Sequence, residues 1–433
     1  MRALLVLTEF PPSIGGMQAH AIHLARHLHD RGHQVEVVTY RNPLQEAADF
    51  DARLPFPVHR TLSRLSHWHN LDTVCSMGRR ADIVYSSTVF YGLVGDRAGV
   101  PVVCRSAGND VQRPWIAYPF KFASNLLSQP WLDERLYSAF RRWRSPEWTQ
   151  SLFRQARQHL MIRSARANQY VLANSAFTNA LLRDLGIPAK RREVLPGGVD
   201  TARFARPLIP RERNSRRLLT VCRLVPKKGI DFLLTAFAQY RDEEPGATLT
   251  IVGDGPLRTR YEAIAAQLGL GDSVHFTGRV PFERVAEYYW SADAFILPSR
   301  DEIHESSGTR DVETMGRVLC EANAAGIPVL AARCGGVPSV IRDKVNGLLF
   351  PRRHRSATHR SATCLRRFHV EIEADWEWNT YSPSAIRLER DHETPRKDFR
   401  QRSRQGEAGK QTDQEAEGAF VAVRGRCVRW NRP

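Results

Sequence analysis

Short apolar runs alternate with amphipathic helical stretches along most of this chain, and that alternation admits few folds. Runs at Ala3–Leu7, Val35–Thr39, Ile83–Tyr85, Val100–Arg105 and Tyr170–Ala173 read as strands. The first two flank a helical pattern with Ile22, Ala25 and Leu28 on one face, stopped by Gly32. Strand, helix, strand at this spacing reads as a parallel βαβ unit, because a parallel pair needs a long crossover. The rhythm resumes further on. Strands are expected at Leu218–Cys222, Thr248–Val252, Val274–Thr277, Ala294–Leu297 and Pro328–Ala331. Helices between them are expected at Ile230–Tyr240, Leu257–Leu268, Phe282–Ser291 and Gly316–Ala325, with a polar loop over Pro298–Asp311. The expected fold class is α/β, with two doubly wound parallel sheets.

A boundary falls near Pro196–Pro210, where the polar, basic Pro207–Arg217 suits a linker. The expected domains are 1–196 and 197–350. After Phe350 the periodicity stops, and 351–433 form an atypical basic tail dominated by Arg, His, Ser, Gln and Glu. That tail reads as disordered, and its abrupt start suggests a shifted reading frame or a replaced C-terminus. Pro114–Arg166 also stands apart: Trp131, Phe140, Arg141, Arg142, Trp143, Arg144 and Trp148 make it aromatic and basic. The part around Phe140–Trp148 can rest on an anionic membrane surface, or it can be an ordinary basic helix with core aromatics; both readings stay open.

The formal net charge of +17 favours anionic partners without choosing among them. Nucleic acid is not expected, because no recognition motif is present and much of the excess Arg lies in the linker and tail. No run approaches the roughly 18 apolar residues of a spanning helix. Ala3–Leu7 is too short for a signal-peptide core, so a cytoplasmic location is expected. The seven cysteines are scattered, without a CxxC pair, and read as buried free thiols rather than a zinc site.

Three groups of residues are placed to do chemistry. Gly15-Gly16 lies between the first strand and the first helix, where backbone can approach an anion. Arg223 and Lys228 follow the strand Leu218–Cys222, at the sheet edge where open α/β folds bind ligands, and two cations there can clamp a diphosphate. Glu313 precedes a helix that contains Glu321, with Gly316 at the helix start. One carboxylate can face a sugar and the other a ribose, with the helix N-terminus aimed between them at phosphates. Asp49-Phe50-Asp51 is a lone DxD in a polar loop and reads as surface charge.

The motifs recur in an order that resembles the retaining glycosyltransferases of family 4, with the GT-B fold. The matching segments over Met1–Phe350 are Glu9-Phe10-Pro11-Pro12 with Gly15-Gly16, Arg31-Gly32-His33, Ala173-Asn174-Ser175 and Leu195-Pro196-Gly197-Gly198-Val199-Asp200. They continue with Arg223-Leu224, Lys228-Gly229, Gly253-Asp254-Gly255-Pro256, Phe276-Thr277-Gly278-Arg279-Val280, Leu297-Pro298-Ser299-Arg300, the E-x7-E element and Gly335-Gly336-Val337-Pro338. The resemblance implies a UDP- or GDP-sugar donor, transfer to a glycan or lipid-linked acceptor with retention, and no cofactor or metal. It implies that Arg223 and Lys228 bind the diphosphate, Glu313 the donor sugar and Glu321 the ribose. Backbone of Met315, Gly316, Arg317 and Val318 would hold phosphates, Gly278, Arg279 and Val280 would border the base, and Gly253 would lie on the nucleotide side. Gly16 would approach the phosphates from the other domain, and Asp110 would contact sugar or acceptor. Where many relatives have Gly-Phe after the first Glu, this chain has Thr314-Met315, and Arg105–Asp110 lacks a His that relatives often carry.

Overall fold

The computed structural model describes residues 1–12, 15–64, 66–112, 147–205, 216–304 and 309–351, with Trp131, Arg135 and Ala139. The tail beyond 351, most of the Pro114–Arg166 stretch up to 146, including Phe140–Arg144, and linker residues 206–215 lie outside the described residues.

The first sheet contains β1 (Arg2–Val6), β2 (Gln34–Tyr40), β3 (Val58–Leu62), β4 (Ile83–Ser86), β5 (Val102–Ser106), β6 (Tyr170–Ala173) and β7 (Arg192–Val194). Its order is β3-β2-β1-β4-β5-β6-β7, and its pairings are parallel. Ala3 to Leu7 are buried on both faces, one against Ala21, Ile22 and Ala25 and the other against Leu71, Val74 and Phe90. A strand covered on both sides needs a continuous apolar run rather than alternation.

The second sheet begins with β8 (Arg217–Val221), β9 (Thr248–Val252), β10 (Val274–Gly278) and β11 (Ala294–Leu297). A separate antiparallel hairpin, β12 (Glu302–His304) and β13 (Thr309–Asp311), comes next. β14 (Val329–Ala332) and β15 (Leu348–Phe350) complete the sheet in the order β10-β9-β8-β11-β14-β15. Strand order reverses between β1 and β4 and again between β8 and β11. Loops on opposite sides of such a reversal diverge and leave a crevice at the carboxyl ends of the strands. After β7 the chain passes to the second half, where Val199 and Phe204 join its core and Trp290 donates to the Phe204 carbonyl at 2.9 Å.

The structure departs from the sequence reading in particular places. Pro298–Asp311 is not simply a polar loop, because it holds the β12–β13 hairpin. β3, β7 and β15 were not anticipated; β3 is a half-polar edge strand and β7 and β15 have three residues each. The DxD is not in a loop: it ends the Gln45–Asp51 helix, where Phe50 packs on the core and Asp51 pairs with Arg60 at 2.7 Å. Cys75, Cys104, Cys222 and Cys334 are free and buried, and Cys320 is free and half-buried. Among the described residues, no helix is long and apolar enough to cross a membrane.

Candidate active site

The loop after β8 delivers the first half of the site. Gly229 adopts a left-handed φ of 64°, and a Cβ there would collide with the Pro298 carbonyl. Glycine therefore lets this loop close on the loop after β11. Two adjacent ion pairs then bridge them: Lys227 to Asp311 at 3.0 Å, and Lys228 to Glu313. Ser299 Oγ lies 3.5 Å from the same Glu313 oxygen. Burial pushes the Glu313 carboxyl up, but Lys228, Lys227 and the Gly316 N–H together hold it below the usual range. Burial likewise opposes the Lys228 charge, and Glu313 more than restores it, leaving the ammonium above its ordinary value. Both side chains are therefore ionised in a nearly dry position. Arg223 stands exposed at the mouth of the same loop.

The second half is the helix Arg317–Ala324. Gly316 enters it with a left-handed φ of 83°, and no side chain caps the N-terminus. The uncapped amides of Arg317 and Val318 are the kind of donor group that accepts an anion. Glu321, inside the helix and buried, accepts from Tyr289 Oη at 2.9 Å and lies 3.7 Å from Arg317 Nε. Burial raises its carboxyl, opposed by Tyr289 and Arg317.

Across the crevice, Gly16 begins the helix Gly16–Asp30, and its carbonyl accepts from Arg317 Nη1 at 2.8 Å. A Cβ on Gly16 would sit 3.2 Å from Arg317 Cδ, so the two helix starts face each other closely. Thr314 and Met315, where relatives often carry Gly-Phe, are used as an interdomain tongue. Asn174 Nδ2 donates to Thr314 Oγ1 at 3.3 Å, and the Gly197 amide lies 3.2 Å from Met315 Sδ. Gly335 and Gly336 back this tongue, because a Cβ on either would strike the Glu313 or Thr314 carbonyl.

The ends of β8, β9 and β10 are laced together by backbone. The Gly253 amide donates to the Gly278 carbonyl at 2.9 Å, and Cys222 N donates to Val252 O at 2.9 Å. A Cβ on Gly253 would meet the Cys222 carbonyl, so only glycine lets the ends of β8, β9 and β10 gather. Arg279 is exposed and Val280 packs against the second core. Asp110 is placed differently from the others. It is buried in the first domain, accepts from Ser106 Oγ at 2.7 Å and Val89 N at 3.0 Å, and burial raises its carboxyl. Sequence reasoning gave no role to Tyr289, Ser299, Asn174, Arg105 or His20, whose placement depends on packing between distant segments.

Comparison with known proteins gives the family. Residues 14–203 match the family described as Glycosyltransferase Family 4, and 204–365 match Glycosyl transferases group 1. The GDP-mannose-dependent alpha-(1-6)-phosphatidylinositol monomannoside mannosyltransferase of Mycobacterium tuberculosis is 30% identical over 406 residues, covering 88% of this chain and 95% of that protein. The alpha-monoglucosyldiacylglycerol synthase of Streptococcus pneumoniae is 32% identical over 196 residues, 42% of each chain. Anabaena HepE, solved in complex with UDP-glucose, shares the fold with a TM-score of 0.60 and 19% identity, covering 86% of this chain and 90% of that one.

Proposed function

The chain belongs to the group 1, family 4 glycosyltransferases, and from that premise we propose that it moves a hexose from a nucleoside-diphosphate sugar to a glycolipid or lipid-linked glycan acceptor. The observation that carries the reading is the buried Lys228–Glu313 pair, set beside the uncapped start of the Arg317–Ala324 helix. A donor diphosphate entering there takes Lys228 as its counter-ion, joined by Arg223 and the helix amides. Glu313, released from the ammonium, accepts from sugar hydroxyls, and Glu321 accepts from the ribose. The charge on the departing diphosphate is thus met by groups already in place, which is where such sites gain most of their rate. No metal is needed for that neutralisation in this proposal, so chelation with EDTA leaves turnover unchanged.

The acceptor hydroxyl attacks the anomeric carbon from the face the diphosphate leaves, so configuration is retained. The carbon–phosphate oxygen bond breaks, the new glycosidic bond forms, and the acceptor proton passes to the leaving phosphate oxygen. The names of the relatives and of the solved neighbour make GDP-mannose and UDP-glucose the first donors to try, with phosphatidylinositol monomannoside and diacylglycerol as acceptors. The test is transfer of radiolabelled sugar by wild type, Lys228→Ala and Arg223→Ala. Loss of one such donor group costs about 2.7–4 kcal/mol, a fall of roughly 10²–10³ in kcat. Full turnover by both variants would remove the clamp.

A lipid acceptor also requires contact with a membrane surface. The exposed Trp131, with the Arg135 guanidinium 5.5 Å from its ring centroid, supports docking on an anionic bilayer, where indole and guanidinium occupy the headgroup layer. Flotation with anionic but not zwitterionic liposomes is the expected result, and binding to neither ends the membrane part of the reading.

A further inference from the structure

Beyond the donor clamp, the first domain carries a group of cations that the transfer reaction above leaves unused. Arg105 lies one residue before the end of β5, is 7% exposed, and its Nε is buried without a hydrogen-bond partner. Its one hydrogen bond goes from Nη2 to the Leu195 carbonyl at 3.3 Å, and no carboxylate pairs with it among the described residues. A guanidinium sealed from water without an anion is costly, and proteins seldom keep one unless something supplies the charge. Arg317 approaches from the second domain, close enough for its charge to act on Arg105; its Nε is buried without a hydrogen bond and lies 3.7 Å from the Glu321 carboxylate. His20 stands between their fields on the Gly16–Asp30 helix, its Nε2 3.0 Å from Tyr85 Oη. Tyr85 comes from β4 and Arg105 from β5, so the group sits at the carboxyl edge of the first sheet, beside its β1/β4 switch point. Among the described residues, Glu321, already held by Tyr289, is the carboxylate that pairs with Arg317.

We infer that Arg105, Arg317 and His20 form an anion subsite for a phosphate group carried by the acceptor, so that this enzyme selects phosphorylated over neutral acceptors. The inference rests on the proposed transfer to a lipid or glycan acceptor. The donor diphosphate already has Lys228, Arg223 and a helix start in the second domain. Arg105, by contrast, belongs to the first domain, its guanidinium close to Gly197 and Met315 at the domain junction. The Arg105 Nε–H, buried without a hydrogen bond, and the neighbouring Arg317 guanidinium, whose charge is felt by Arg105 and His20 alike, suit the oxygens of a phosphate, which pairs with arginine through short charge-assisted bonds. His20 supports the assignment. Burial and the charges of Arg105 and Arg317 lower its pKa to about 4, so it is a neutral hydrogen-bonding group beside the cations at physiological pH.

The experiment is calorimetric titration of the full chain, saturated with whichever of GDP or UDP it binds, against glycerol 3-phosphate and against glycerol. Phosphatidylcholine vesicles with and without phosphatidylinositol, in a flotation assay, form a parallel arm that separates a lipid headgroup from a soluble phosphate. Wild type is expected to bind glycerol 3-phosphate or the phosphatidylinositol vesicles, and not glycerol. Arg105→Gln and Arg317→Gln should each weaken that binding by about tenfold or more, while Arg105→Lys recovers part of it. Nucleotide affinity of Arg105→Gln should stay within about twofold of wild type. Failure of wild type to bind either phosphate probe overturns the subsite. So does an equal loss of nucleotide and phosphate affinity in Arg105→Gln, which would give the cation to the donor. If Arg105→Gln does not fold, Arg317→Gln and the His20 ring decide: glycerol 3-phosphate should raise the His20 pKa in an NMR titration, and an unmoved ring overturns the idea. A chain that binds neither nucleotide refutes the donor reading, and the same titrations on the nucleotide-free protein still judge the subsite.

Discussion

Lys228 and Glu313 each keep the other ionised where either alone would resist burial. Removing one partner strands the other, which typically costs about 3–5 kcal/mol. Lys228→Met and Glu313→Gln should each destabilise by that order at neutral pH, and the double variant by less than their sum, measured by denaturant unfolding. The Glu313 carboxyl lies below its ordinary 4.5, so its contribution is present above pH 4.5 and lost as pH falls through the folded value. The Lys228 ammonium lies above 10.5, so its contribution is present below pH 10.5 and lost as pH rises past the folded value. Between those limits the gap between wild type and the double variant should be flat. His20 behaves differently. Its folded pKa of about 4 lies below the unfolded 6.5, so its neutral form is present in full above pH 6.5 and stability drains as pH falls toward 4. That difference amounts to about 3 kcal/mol. His20→Gln should remove this part of the acid decline, and an unchanged pH profile would contradict the burial of its ring beside Arg105 and Arg317.

At the scale of elements, the Glu313–Met315 tongue is held in place by glycines rather than by side chains. A Cβ on Gly336 would run into the Thr314 carbonyl and lie 2.8 Å from Ser175 Oγ, and neither neighbour is a flexible chain end. Gly336→Ala should therefore destabilise by about 1–3 kcal/mol through backbone displacement and reduce kcat by shifting Glu313. Unfolding and turnover measured together check this, and a variant with both values at wild type would show that the tongue can move aside. Such elements were unequally legible from sequence. The central strands could be read because burial on both faces demands apolar runs: Tyr170–Ala173 and Ala294–Leu297 have the extents the pattern suggests. β3 could not be read, because Val58-His59-Arg60-Thr61-Leu62 lies at an edge and has little need of apolar residues. The β12–β13 hairpin was hidden for another reason: it is organised by charge, through Lys227–Asp311 and Arg310–Asp301, and charged positions carry no strand period. Within the site, Glu313 and Glu321 were visible as a spacing and Lys228 as a strand-end cation. The partner of each is a tertiary fact. Nothing local in Tyr289 points to Glu321, 32 residues away.

Among the described residues, several hydrogen bonds between the two halves pass through the glutamate element or its backing turn. Arg317 reaches the Gly16 carbonyl, Asn174 reaches Thr314, and the Ala176 amide donates to Ser339 Oγ at 3.0 Å. On the proposed reading, the element that would hold the donor also holds the domains in register, so filling the crevice and setting the interdomain angle would be one event. A nucleoside diphosphate bound there should stabilise the chain by about 2.7 kcal/mol at one hundred times its Kd, read as a rise in unfolding temperature. The tongue has little room to spare at the junction, since a Cβ on Gly108 would come within 2.9 Å of Thr314 Cγ2. Thr314→Phe should therefore wedge the domains apart while leaving both cores intact. Its expected signature is a fall in kcat of about tenfold or more, because a displacement of about 1 Å away from the chemistry can cost 10²-fold. The nucleotide-induced rise in unfolding temperature should shrink in parallel. A Thr314→Phe enzyme with full turnover would mean that the interdomain register seen here is not the one in which the sugar moves.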